Sequence, residues 1–117
     1  MVKFEKYSKS GVPLLEEDSY PTWKSRMRTH LQSGELGLWS IIELGYNVPE
    51  KTPDDEGEYK KFQLNLRAKE KLYGALDEKT FSIIDGLESA KDIWDKLEQR
   101  YEGSNKSKEL RLDFFKE

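Results

Sequence analysis

The chain has 117 residues, carries 20 Lys and Arg against 23 Asp and Glu for a formal net charge of −3, and contains no cysteine. The missing thiols exclude disulfide frameworks, thiolate zinc sites, zinc knuckles and thiol nucleophiles, and they fit a reducing, intracellular, cytoplasmic setting. The near-balance of charge withholds the clustered cations that non-specific nucleic-acid binding needs, and no apolar run approaches the length of a bilayer span.

A single domain of this length buries roughly two-thirds of its unfolded surface without a metal or crosslink. Residues 1–18 read as an irregular arm, with "SGVP" marking a turn and Phe4, Tyr7, Val12, Leu14 and Leu15 available to tuck against a core. At "DSYPTWKSRMRTHLQSG" the pattern becomes helical: Ser19 or Asp18 serves as cap, Pro21 sits in the first turn, and Gly34 ends the helix. Tyr20, Trp23, Met27, His30 and Leu31 share one face. "ELGLWSIIELG" reads as a second, short helix with Leu36, Trp39, Ile41 and Ile42 inward and Gly45 as its stop. "YNVPEKTPDDEG" is a loop bracketed by Pro49 and Pro53.

The longest helical pattern runs from Glu56 to Asp77, with Tyr59, Phe62, Leu66, Leu72, Tyr73 and Leu76 on one broad arc and Ala68 and Ala75 as small contacts. "EKTFSIIDGL" supplies a short helix with Phe81, Ile84 and Leu87 inward. In "SAKDIWDKLEQRYEG" the apolar residues Ala90, Ile93, Trp94, Leu97 and Tyr101 recur at three- and four-residue spacing. Ser89 with Asp92 forms a shortened capping box, and Gly103 stands where a left-handed stop is expected. Strand-like alternation is almost absent, so the sequence predicts an all-α fold: a compact bundle of about five or six helices over residues 19–104. Its fold-specifying core is expected to be Trp23, Met27, Leu31, Trp39, Phe62, Leu66, Ile93, Trp94, Leu97 and Tyr101.

Candidate chemistry is sparse. His30 is the one histidine and lies on an apolar face with no nucleophile motif beside it, which suits a boundary residue better than a general base. Asp54, Asp55 and Glu56 cluster after Pro53 without the alternating spacing of a calcium loop, and read as a helix cap and first turn. Lys24, Arg26 and Arg28 alternate with apolar residues, and on a helix they become the solvated border of a core stripe. No catalytic, metal or cofactor site is therefore expected, and no enzyme activity.

Three segments in order resemble a known family. "YPTWKSRM" looks like a Y-x-x-W-K-x-R-M opening helix, "LGLWSIIELGYNVP" is similar to W-x-x-[IV]-x-x-G-x-x-x-P, and "SAKDIWDKLEQRYEG" matches T-A-K-E-x-W-D-x-L-x-x-x-Y-E. Together these resemble the N-terminal, capsid-like region of the Gag polyprotein of copia-type long-terminal-repeat retrotransposons, over roughly residues 14–117. The resemblance implies a structural protein that self-assembles into virus-like particles enclosing RNA, or a domesticated adaptor derived from one.

Its implied partners are other Gag copies or a second capsid lobe, with RNA held through regions outside this chain, and neither a membrane nor a small-molecule substrate. Residues 105–117 then read as the start of a helix leading toward that second lobe. Within it Leu112 and Phe115 project away from the face shared by Leu110 and Phe114, which makes them candidates for a self-association interface.

Overall fold

A computed structural model describes residues 7–8 and 11–102. Helices α1 (Tyr20–Ser33), α2 (Leu38–Leu44), α3 (Glu56–Gly74) and α4 (Glu78–Ile84) are followed by α5, which occupies residues 90–102 up to the limit of the described chain. A 3-10 turn at Glu17–Ser19 leads into α1. The described residues contain no strand, and a lone antiparallel bridge joins Tyr7 to Pro13. The expected all-α class is the observed one. The predicted stop at Gly103 and the Leu110–Phe115 segment, with Leu112 and Phe115, lie outside the described residues.

Local chemistry explains where most helices begin. Asp55 Oδ2 accepts from the Glu58 amide at 3.1 Å, Asp77 Oδ1 from Thr80 at 2.8 Å, and Ser89 Oγ from Asp92 at 3.0 Å. Each bond satisfies an amide that the helix itself leaves unpaired. The start of α1 departs from expectation. Ser19 makes no capping bond, and the preceding 3-10 turn together with Pro21 sets the entry instead.

One continuous core gathers the buried faces of all five helices. From α1 come Tyr20, Trp23, Met27 and Leu31; from α2, Leu38, Ile41 and Ile42; from α5, Ala90, Ile93, Trp94 and Leu97. The arm joins it as well: Val12 and Leu15 are buried, the Trp23 indole N–H donates to Pro13 O at 3.0 Å, and the Leu15 amide donates to Ala75 O at 2.8 Å. Trp39 and Tyr101 are half-buried against the cluster.

Two expectations about inward residues are overturned. Leu66 is 48% exposed and Tyr59 41% exposed, while Phe62 is only half-buried. The inward stripe of α3 is Leu64, Asn65, Ala68 and Leu72. Leu66 stands two residues beyond Leu64 and so about 160° around the helix. α3 is apolar over more of its circumference than its neighbours cover, and the choice of face is made by α2. At Gly37 the backbone comes so near α3 that a Cβ would meet Leu64 Cδ1 at 3.0 Å. Leu36 is likewise 90% exposed and not inward, because Gly37, at φ 97°, turns the chain and hands the inward place to Leu38. α3 also ends at Gly74, three residues before the predicted limit.

Asn65 is the buried polar member of this core. Its Nδ2 donates to Glu88 O at 3.0 Å and its Oδ1 accepts the Ala90 amide at 2.8 Å, so one side chain fastens α3 to the loop and first turn of α5. Replacing it with leucine strands the buried Ala90 amide and the part-buried Glu88 carbonyl, the amide at about 1–3 kcal/mol and the carbonyl at less. Urea unfolding of Asn65→Leu should show a loss of about 2–4 kcal/mol, whereas a loss under about 0.5 kcal/mol would mean that water satisfies both backbone groups and the clamp is unimportant.

Candidate functional surface

Each of the three motif segments contributes one tryptophan to a common contact. Trp23 of α1 stacks on Trp94 of α5 with ring centroids 5.6 Å apart, and Trp39 of α2 meets Trp94 edge-on at 5.1 Å. The Arg28 guanidinium lies 5.1 Å from the Trp39 ring centroid, a cation–π cap on the outer end of the group. Beside it, Tyr20 stacks on Tyr101 at 5.1 Å, and Lys24 Nζ reaches Glu98 and Glu102, each at 2.7 Å. Burial lowers the Lys24 pKa, but hydrogen bonds to the two carboxylates outweigh it and the net shift is upward. Burial, reinforced by Glu102 and Glu98, pushes the Tyr20 phenol up.

The residues with catalytic potential do not come together. His30 is half-buried at the edge of the core, and its Nε2 has no protein hydrogen-bond partner. No group of three His, Asp or Glu suited to a metal ion occurs among the described residues. Asp55 is engaged as a cap, and Asp54 and Glu56 are exposed beside it. Of the basic residues on α1, Lys24 is committed to its ion pairs and Arg28 to Trp39, leaving Arg26 exposed. No helix among the described residues is long and apolar enough to cross a membrane.

A concavity lies between α2, the loop after it and the first turns of α3. It is a hollow of about 510 Å³ with Gly37, Ile41 and Leu64 on its apolar wall, Leu44 and Tyr46 at its lip, and Glu58 and Lys61 on its α3 side. Leu44 is 80% exposed although it is helical, and the Tyr46 hydroxyl is buried without a protein partner. Burial first, and Glu58 second, raise the pKa of that phenol. Gly45 shapes the other end: at φ 86° and ψ 170° its backbone lies in a region that glycine alone adopts readily, and it passes close to the Lys91 side chain of α5.

Sequence reasoning missed this hollow. The signal available was the pair of glycines flanking a seven-residue helix that ends on a leucine. Scans against protein-family models, curated proteins and solved structures gave no match to the chain.

The environment of His30 carries a prediction. Burial, and then the charge of Lys71, hold its pKa below the usual 6.5, so the folded state favours the neutral ring. That stabilisation is complete above pH 6.5 and is lost as pH falls through the depressed value. Relative to the wild type, His30→Gln should therefore gain thermal stability as pH falls from 7.5 toward 5, with a shallow slope because the ring is partly exposed. Parallel melting curves across that range would show that the ring titrates alike in both states.

Proposed function

We propose that this chain is a structural domain of the copia-type Gag kind, which works by associating with further copies of itself and not by catalysis. The observation that carries the reading is the convergence of Trp23, Trp39 and Trp94. The three segments that resemble the family lie on three helices, the third well removed in sequence from the first two, and each places its most distinctive residue in one packed group. Motif residues used in this way specify a fold, as expected where a family conserves an architecture and not a reaction centre. The distribution of charge supports the same reading, since the cations of α3 are interspersed with acids, as in the pairs Arg67–Glu35 and Lys61–Glu58, and Lys24 of α1 is paired with Glu98 and Glu102 of α5. Packaging of RNA in such an assembly falls to regions outside this chain.

Sedimentation velocity from micromolar to millimolar protein tests the proposal, with negative-stain electron microscopy of the most concentrated sample. The weight-average sedimentation coefficient should rise with concentration, and RNA should bind weakly, if at all, at physiological salt. A protein that stays monomeric throughout and binds RNA with a steep salt dependence would contradict it.

A further inference from the structure

Resting on the self-association reading, we infer that the α2–α3 hollow is a two-fold contact between copies of this chain, in which each Leu44 fills the other's hollow. The patch is complementary to itself. It carries a protruding apolar side chain, Leu44, at the lip of a depression lined by Ile41 of α2 and Leu64 of α3, with the small Ser40 also on its lining. A projection and a recess on one patch pair reciprocally only about a two-fold axis, which is the geometry of an isologous dimer.

The charges on the α3 side have the same property. Glu58 and Lys61, one turn apart, are of opposite sign, and rotation by a two-fold places the acid of one copy opposite the base of the other. Within one chain they lie 3.6 Å apart and more than half exposed, so the pair is loosely held and free to exchange partners.

The size of the patch fixes the kind of contact. One seven-residue helix, a short loop and the first turns of α3 offer less than the roughly 800 Å² per partner of a stable dimer. The isolated pair is therefore weak, and the contact becomes effective where many copies are held together.

Leu44 is exposed, so its replacement should leave the fold intact, and the test compares wild type, Leu44→Asp, Lys61→Glu, and the exchange Glu58→Lys with Lys61→Glu by sedimentation equilibrium and thermal melting. Leu44→Asp should weaken self-association by about tenfold or more with an unchanged melting temperature. Lys61→Glu, which sets acid against acid, should weaken it several-fold, and the exchange should restore it.

Self-association that is intact in Leu44→Asp would place the contact elsewhere, overturning this inference while leaving the proposed function standing. A wild-type monomer at every concentration would overturn both. If Leu44→Asp lowers the melting temperature without altering size, the hollow is filled from within the same chain and the two-fold contact is refuted.

Discussion

Trp94 is the residue on which the arrangement of helices depends. It is 7% exposed and touches Trp23 on one side and Trp39 on another, which makes it the common member of α1, α2 and α5. Each aromatic pair contributes about 0.5–1.5 kcal/mol beyond the area it buries, and truncating a buried indole to alanine costs about 3–5 kcal/mol. The Lys24 bridges along the same α1–α5 seam are partly exposed and are worth at most about 1 kcal/mol each. Packing therefore decides which faces of these helices meet, and the ion pairs refine the seam. The Trp23–Pro13 hydrogen bond extends the effect to the arm, drawing Val12 and Leu15 into the same core.

The helices with a narrow apolar stripe were legible in the sequence, and the wide one was not. On α1 and α5, Trp23, Met27, Leu31, Leu97 and the Ile93–Trp94 pair are each flanked by polar residues, so periodicity alone assigns them inward, where they lie. On α3, apolar residues occupy both the Leu64 flank and the Leu66 flank. Periodicity cannot choose between these, and the decision comes from the close passage of Gly37 over Leu64. Asn65 was invisible for a related reason: a polar residue in a helix reads as solvent-facing unless its partners, here the Glu88 carbonyl and the Ala90 amide more than twenty residues on, are known. Caps that act within three residues, at Asp55, Asp77 and Ser89, are local events, and those at Asp55 and Ser89 could be read directly.

The candidate surface belongs to the class that sequence conceals. Its hollow exists because two positive-φ glycines bracket α2 and because the first turns of α3 run past the core, leaving Leu44 and Tyr46 at an edge that no helix among the described residues covers. None of these residues is among the tryptophans that make the three motifs recognisable. The second motif segment thus serves two ends: Trp39 packs on Trp94, while Leu44 and Gly45 of the same segment shape the hollow. Substitutions at exposed positions such as Leu36 and Leu44 should leave the core undisturbed, since they remove no buried side chain.

The tryptophans act as one unit, and a double-mutant cycle between Trp39 and Trp94 tests this most directly. Phenylalanine replacements keep most of the buried area, so all four proteins should remain folded and their urea unfolding free energies should be comparable. If α2 and α5 are joined through these rings, the two losses will be non-additive, with a coupling energy of about 0.5–1.5 kcal/mol. Additivity within about 0.3 kcal/mol would show that Trp39 and Trp94 are energetically independent, and would contradict the claim that the motif segments are fastened to one another.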